Sequence, residues 1–533
     1  MPVFSKMFNF DAMGTSLQHY WSGNYILGAV IGFSWSLYFW DLYLDRRQRN
    51  VYKTSKTIPD ELKDVISPET FEKSRKYKLD TSKYGIIHTL FDQILDTSLL
   101  AVAAFPFLWN VSGKIMSKYG YGSHYEITQS LIFTGILYII TYAINIPWKC
   151  YYDFVIEQKH GFNKMTVGFF IKDQFKHLAL KLVLIPPILA GMIHIIKIGG
   201  KYFYFYVWLF FFLLSLFFMA IYPTVIAPLF DKYTPLDQGE LRSKIEKLAS
   251  KLKFPLSQIF VVEGSKRSSH SNAYFYGFFK HKMIVIFDTI LPNYLKKDKS
   301  IIEKLDNVEE LVNPNLASDS TDALLDGEKK KDPGPSHTQF GLTCWASIKH
   351  SITKTMTNEE ILAVIAHELG HWKYSHTLKR FVMGQANFFF SFLVFSYLNN
   401  NQTLYQAFGF YDQKPILIGF LLILNCFLKP YEIVMEFLEN VYSRKCEYDA
   451  DAFATLQGLG QELITGLQQL HKENLSFPTN DKLYSTWHFS HPSTVERIRT
   501  IRSLIAKGEG CKPVESGEAY KDPYIDCFDK KSV

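Results

Sequence analysis

Paired cysteines are what this chain most clearly lacks. Its six cysteines, Cys150, Cys344, Cys426, Cys446, Cys511 and Cys527, are scattered over 533 residues with no CxxC pair. That spacing excludes a zinc knuckle and a disulfide framework, and it leaves free thiols in a reducing compartment. A strong charge of one sign is missing too. The net charge is +7, charged residues make up 20% of the chain, and no basic motif is interleaved with aromatics. Nucleic acid is therefore not an expected partner. No internal repeat stands out, and only Lys6 is basic before the first long apolar run.

What is abundant is aromatic. Phe (45), Tyr (32) and Trp (9) together form 16% of the chain, a level that points to lipid. The mean hydropathy of −0.02 then averages a membrane part with a soluble part. A bilayer crossing needs about 20 apolar residues. Seven windows meet that demand: Tyr25–Tyr43, Ile94–Val111, Ile127–Trp148, Leu178–Ile198, Tyr202–Ile226, Phe381–Leu398 and Ile416–Leu438. Phe203 to Ile221 contains no charge. The first window is the weakest, with Asp41 and Asp45 at its exit, and an uncleaved anchor or a buried hairpin is an alternative. Arg46, Arg47, Arg49, Lys53 and Lys56 lead a basic loop between the first two windows. By the positive-inside rule the N-terminus faces away from the cytosol, and seven spans bring the C-terminus into it.

The longest soluble stretch, between the fifth and sixth windows, holds Val364-Ile365-Ala366-His367-Glu368-Leu369-Gly370-His371-Trp372. This is an H-E-x-x-H pattern in a segment that reads as a helix. Thr357-Asn358-Glu359-Glu360 fits a capping box, and Ile361, Leu362, Ile365 and Leu369 supply an apolar stripe. Two imidazoles four residues apart on a helix share a face, so His367 and His371 can reach one metal ion, the grip of a zinc protease. Glu368, at the edge of that face, can take a proton from an attacking water. A catalytic zinc needs three protein ligands and an open position. The metzincin pattern would require Gly and His where Tyr374 and Thr377 stand, and His376 is wrongly placed to be a ligand. A glutamate from a second helix is the usual remaining solution, and Glu432, Glu436, Glu439 and Glu447 compete for that role.

Around the motif, Leu241–Leu252 has helical spacing, while Gln258–Val262, Ala273–Phe278 and Met283–Phe287 read as short strands. A small sheet beside the metal helix is expected. Asn293 to Thr343, rich in Lys and Asp, reads as a disordered insert.

Further along, Ser443-Arg444-Lys445-Cys446-Glu447-Tyr448-Asp449-Ala450-Asp451-Ala452-Phe453-Ala454 resembles the S-R-x-x-E-x-x-A-D-x-x-A segment of the integral-membrane gluzincins called type I CAAX prenyl endopeptidases. Similar stretches are Glu157 to Asn163, Ile226 to Phe230, Gly264 to Phe275, and His491-Pro492 with Glu496-Arg497, all in the family's order. The resemblance implies an α-helical polytopic membrane protein, with seven transmembrane helices enclosing a chamber and a gluzincin-like α+β zinc protease domain. The domains would be spans one to five (1–227), a first catalytic part (228–379), spans six and seven (380–440), a second catalytic part (441–510) and a tail (511–533).

It further implies that Glu447 is the third ligand of one Zn2+ ion, beside His367 and His371. Asp451 would orient a ligand histidine, with a salt bridge to Arg444 as the competing reading. His491 would stabilise an oxyanion, with Arg497 on the next turns as a further catalytic residue. Asn272, Ala273, Tyr274 and Phe275 would form the edge against which an extended substrate pairs. The implied partners are prenylated CAAX proteins or peptides, which lose their last three residues, and membrane lipid. Two rivals remain. A broader quality-control protease for membrane proteins would use the same chemistry. A transporter with a structural metal is suggested by Asp92, Asp96 and a break at Pro186-Pro187, but Glu368 argues against it, since a structural zinc site needs no base. The terminal Lys530-Lys531-Ser532-Val533 resembles a dilysine signal, so the endoplasmic reticulum membrane is the expected location, with a lumenal N-terminus.

Overall fold

Long apolar helices dominate the fold. The computed structural model describes residues 23–122, 124–266, 272–278, 281–291 and 356–508. The expected insert, the dilysine tail, Cys344, Cys511, Cys527 and residues 267–271 of the family-like stretch lie outside the described residues. The membrane part begins with α1 (Gly23–Thr54), α2 (Pro68–Ala101), α3 (Ala104–Lys118), α4 (Glu126–Tyr151), α5 (Val167–Ile198) and α6 (Phe203–Ile221). After the first soluble stretch come α9 (His376–Leu398) and α10 (Ile416–Leu422), the latter running into α11 (Lys429–Ala454). Among the described residues, five helices are long and apolar enough to cross a membrane, or up to seven spans if each of two bent pairs counts as one.

Both bends fall inside the expected second and seventh spans, Ile94–Val111 and Ile416–Leu438. Between α2 and α3 the chain turns by 64° at Ala103, whose φ of 53° lies in the left-handed region. Pro106 sits in the first turn of α3, where its missing N–H costs no helical bond. Between α10 and α11 a π turn and Leu428 bend the path by 59°, again with a proline, Pro430, in the first turn. The break expected at Pro186-Pro187 is absent, since α5 runs through both prolines; helices in lipid tolerate proline when neighbouring groups take up the freed carbonyls. Side chains lock the bundle. Trp208 Nε1 of α6 donates to the Gln385 carbonyl of α9 at 3.0 Å, and Phe133, Ile193, Val207, Phe395 and Tyr405 are buried between helices.

At about 1.5 Å per residue, α1 is longer than a bilayer is thick, and its far end leaves the bundle. There Tyr52 and Phe71 of α2 pack against Phe477, with ring centroids 5.1 and 5.3 Å apart. Arg47 meets Asp481 at 2.9 Å. The soluble part combines α7 (Glu240–Lys251), α8 (Asn358–Lys373), the lower half of α11, α12 (Gly460–Glu473), α13 (Lys482–His488) and α14 (Thr494–Ala506). Apolar faces of α7, α8, α11, α12 and α14 share one core, which contains Ile245, Ile361, Phe453 and Ile498.

A four-stranded sheet has the order β1 (Tyr233–Pro235), β2 (Leu256–Val262), β4 (His281–Phe287), β3 (Ala273–Phe278). β2 and β4 are parallel, while β1 and β3 run antiparallel to their neighbours. β3 is thus an edge strand. β1, three residues long, carries too short a pattern for sequence to mark.

Candidate metal centre

The centre is built where α8 meets α11. Thr357 Oγ1 accepts the Glu360 N–H at 3.2 Å and Glu360 Oε2 accepts the Thr357 N–H at 2.8 Å, the reciprocal cap that starts α8. Gly370 lets the two helices touch. A Cβ there would lie 3.0 Å from Ala450 Cα and 3.1 Å from Phe453 Cβ, so any larger residue would push α11 and its carboxylates away.

The close approach brings His367, His371 and Glu447 together, with ligand atoms all within 4.8 Å of one another. His367 Nε2 lies 3.2 Å from His371 Nε2 and 3.5 Å from Glu447 Oε2, and His371 Nε2 lies 3.3 Å from Glu447 Oε1. Metal bonds of about 2.0–2.1 Å in a tetrahedral set place donor atoms about 3.3 Å apart. The observed triangle therefore fits a small divalent ion. Electrostatics agree. Burial and the Arg497 guanidinium oppose a proton on His367, yet Asp451 and Glu447 outweigh them and lift it to about 9. Positive charge is favoured where the donors converge. Glu368 is partly buried on the same helix. Burial raises its carboxyl, while His367 and His371 pull it down.

The other glutamate candidates lie elsewhere. Glu436 lines a membrane cavity, Glu439 faces a pocket with Arg380 and Tyr442, and Glu432 pairs with Lys429 at 3.9 Å. Asp451 is fully buried, with Oδ1 2.9 Å from His367 Nδ1. Its cation partner is Arg497, not Arg444. Arg497 Nε donates to Asp451 Oδ2 at 2.8 Å and Nη2 to Oδ1 at 2.6 Å, and Nη1 lies 3.3 Å from Glu447 Oε2. Arg444 instead reaches Glu496 at 3.4 Å and the His491 carbonyl at 3.2 Å. This holds the loop between α13 and α14 so that His491 Nδ1 comes 3.1 Å from Glu447 Oε1, although the His491 side chain is 64% exposed.

Sequence reasoning set His376 aside. Ser375, at φ 56°, turns the chain between α8 and α9 so that buried His376 faces back, with Nδ1 3.0 Å from His371 Nδ1. Asp449 lies behind it, 3.8 Å from Nε2. The available signal was chemical: a ligand imidazole usually hydrogen-bonds through its second nitrogen, and spacing on one helix cannot show a partner beyond the helix end.

At the sheet edge, Asn272 is exposed and its carbonyl accepts the Phe287 N–H at 3.0 Å. By antiparallel alternation, Ala273 and Phe275 turn their N–H groups outward. That of Ala273 already donates to Asn272 Oδ1 at 2.8 Å. Among the membrane helices, a cavity of about 740 Å³ opens between α1, α2, α10 and α11. Asp41, Asp45, Asp92, Asp96 and Glu436 line it. Cys150, Cys426 and Cys446 are free thiols.

Two family models match this chain: "CAAX prenyl protease N-terminal, five membrane helices" over residues 47–232 and "Peptidase family M48" over residues 235–505. The CAAX prenyl protease 1 homolog of Mus musculus is 43% identical over 478 residues, covering 90% of this chain and 95% of the relative. Its Homo sapiens counterpart is 42% identical over 479 residues, with 90% and 96% covered. CAAX prenyl protease 1 of Saccharomyces cerevisiae is 34% identical over 496 residues, with 90% and 95% covered. The crystal structure of S. mikatae Ste24p superposes with a TM-score of 0.73 at 33% identity, covering 89% of this chain and 98% of that one.

Proposed function

The chain belongs to peptidase family M48, and on that premise we propose that it removes the C-terminal tripeptide from prenylated CAAX proteins at a zinc centre formed by His367, His371 and Glu447. It is a multi-pass membrane metallopeptidase. The observation that carries the proposal is the triangle of donor atoms, 3.2, 3.3 and 3.5 Å on its sides, with Glu368 beside it.

Zinc, when bound, supplies Lewis acidity and lowers the pKa of water. The remaining work belongs to side chains. Glu368 accepts a proton from the attacking water on its carboxylate and returns it to the leaving amine. His491, whose exposed ring borders Glu447, donates a hydrogen bond to the scissile oxygen as charge develops on it. Asp451 accepts from His367 Nδ1 and His376 pairs with His371 Nδ1, which would leave both Nε2 lone pairs free to hold the metal. Arg497 is committed to two carboxylates, so we assign it a positioning role; Asp451 and Glu447 can then share one buried site. The edge from Asn272 to Phe275 aligns an extended peptide through its backbone.

A membrane setting suits the substrate, because a prenyl chain partitions into lipid and presents the scissile bond near its surface. The described residues of the two soluble parts, 228–379 and 441–510, form one catalytic unit around a shared core, with spans six and seven inserted between them. We place it in the endoplasmic reticulum membrane, N-terminus lumenal and C-terminus cytosolic, on the basic loop after α1 and the Lys530-Lys531 tail. The deciding assay uses purified protein in detergent with a prenylated CAAX peptide. Tripeptide release that a chelator stops and zinc restores is the expected result. Cleavage indifferent to chelator would overturn the centre.

A further inference from the structure

A protease that releases a tripeptide must measure three residues from a chain end, and nothing in the metal centre does so. Two cavities flank the segment from His488 to His491, and His488 lines both. The larger is the acidic chamber with Asp41, Asp45, Asp92, Asp96 and Glu436. The smaller, about 310 Å³, has no carboxylate among its lining residues. It carries Lys78 of α2 and three histidines, His471, His488 and His491, with Asn480 and Thr494 among its polar groups. Lys78 is the one lysine or arginine on the small cavity's wall, where the chamber carries carboxylates.

The small cavity also holds groups that want an acceptor. His471 is 4% exposed. Its Nδ1 lies 3.0 Å from Thr494 Oγ1, while its Nε2 has no hydrogen-bond partner among the described residues. With the Thr494 hydroxyl donating to Nδ1, the ring proton would sit on Nε2, a buried donor with the Ser476 carbonyl as its neighbour and no full hydrogen bond among the described residues. Lys78 Nζ lies over the Tyr77 ring, 5.3 Å from its centroid. Its acidic neighbour Glu157 already accepts from the Tyr77 hydroxyl at 2.7 Å. An ammonium and an open imidazole N–H in one pocket without carboxylates are complementary to a small anion.

Distance selects which anion. His491 Nδ1 is 3.1 Å from the metal-binding Glu447, and the same residue lines the pocket. The pocket therefore begins one side chain away from the scissile position. Three extended residues span about 10 Å. We propose that this cavity is the receptor for the substrate's free C-terminal carboxylate, and that Lys78 and His471 set the cut three residues from the end; this rests on the protease reading above. A carboxylate entering the acidic chamber instead would meet five carboxyl groups against the single Lys429.

The test compares a farnesylated CAAX peptide with a free C-terminus to the same peptide ending in an amide, both given to the full chain in detergent. A hydrogen-bonded charge of this kind corresponds to roughly 10–100-fold in affinity, so amidation should lower kcat/KM by that factor, mainly through KM. Lys78→Gln and His471→Gln should each lower kcat/KM for the acid and leave that for the amide unchanged. Equal cleavage of acid and amide by the unmodified chain overturns the proposal, and so do variants that slow both peptides alike. The acid-against-amide comparison decides even where a variant fails to fold. A second arm measures thermal stabilisation by the released tripeptide as acid and as amide. Stabilisation by the acid alone, lost in Lys78→Gln, supports the carboxylate site without any turnover, whereas equal stabilisation by both overturns it. Absence of chelator-sensitive cleavage of either peptide would defeat the protease reading instead, and the binding arm would then stand separately.

Discussion

Arg497 grips Asp451 through two hydrogen bonds, Nε to Oδ2 at 2.8 Å and Nη2 to Oδ1 at 2.6 Å, while the same Oδ1 meets His367 Nδ1 at 2.9 Å. The chain of contacts runs from the helix that follows the His491 loop to the first histidine of the metal pair. Bidentate geometry is something only arginine provides. Asp451→Asn should weaken metal binding by roughly 10–100-fold, the usual size for a partner of a ligand imidazole. Arg497→Lys should weaken it too, because a point charge cannot hold both oxygens. Chelator competition measures this directly. Unchanged zinc affinity in both variants would show that the pair only packs the core.

Retention of metal should separate Glu368 from Glu447. Glu368→Gln keeps shape but cannot accept a proton, so zinc should stay bound while turnover falls roughly 10²–10⁴-fold. Glu447→Ala removes one of three ligands and should lower zinc occupancy, read by metal analysis. Glu439→Ala is the control, since Glu439 faces a pocket with Arg380 and Tyr442. Full occupancy in Glu447→Ala with loss in Glu439→Ala would move the third ligand.

His376 offers a finer test. Its Nδ1 sits 3.0 Å from the second nitrogen of His371, so His376→Leu should loosen the ligand ring and weaken zinc binding by roughly tenfold or more. His376→Asn, which can still hydrogen-bond, should recover part of that loss. A cobalt-substituted sample gives a readout beyond activity, since its visible absorption reports the ligand geometry. Spectra and affinities identical across all three proteins would remove His376 from the centre.

The legible parts of this molecule are those written locally. The capped α8, with Thr357 and Glu360 in reciprocal contact, is a pattern within four residues, and the charge-free α6 declares itself by composition. The third ligand is different. Glu432, Glu436, Glu439 and Glu447 all lie on α11, and what brings Glu447 beside the two histidines is Gly370 on another helix, which admits Ala450 and Phe453 at contact distance. The bends at Ala103 and Leu428 escaped the reading for a related reason. Hydropathy windows measure length, and a left-handed alanine leaves no mark in them. Arg497 was assigned to the reacting atoms because it follows His491 in the chain; its burial between Asp451 and Glu447 is a tertiary fact.

Orientation has a simple check. On the proposed topology the basic residues following α1 would lie in the cytosol, and an odd number of spans would then carry the C-terminal lysines there. A tag after Val533 should be digested by protease added to sealed microsomes. Replacing Lys530 and Lys531 by serine should let the protein appear in later compartments. Protection of the tag would overturn both the topology and the retrieval signal.

The remaining expectation concerns why the peptidase is embedded in lipid at all. Binding energy from a remote prenyl group can hold the scissile carbonyl at the centre, provided the helices contact that group. Burying a 15-carbon chain is worth up to roughly 10 kcal/mol at about 0.8 kcal/mol per carbon, and ordering together with competition from lipid removes much of it. A preference in kcat/KM for prenylated over unprenylated peptide should therefore be measurable in micelles, with both peptides at equal free concentration so that partitioning does not imitate recognition. The sheet edge should act separately from the prenyl group. Ala273 spends its N–H on Asn272 Oδ1 at 2.8 Å, which leaves Phe275 as the outward donor for a substrate strand. Phe275→Pro should accordingly slow cleavage of both peptides while zinc content is unchanged, because proline removes that donor and is tolerated on an edge strand. Ala273→Pro should cost less. Equal cleavage of prenylated and unprenylated peptides would leave the zinc chemistry standing and favour a broader role in clearing damaged membrane proteins.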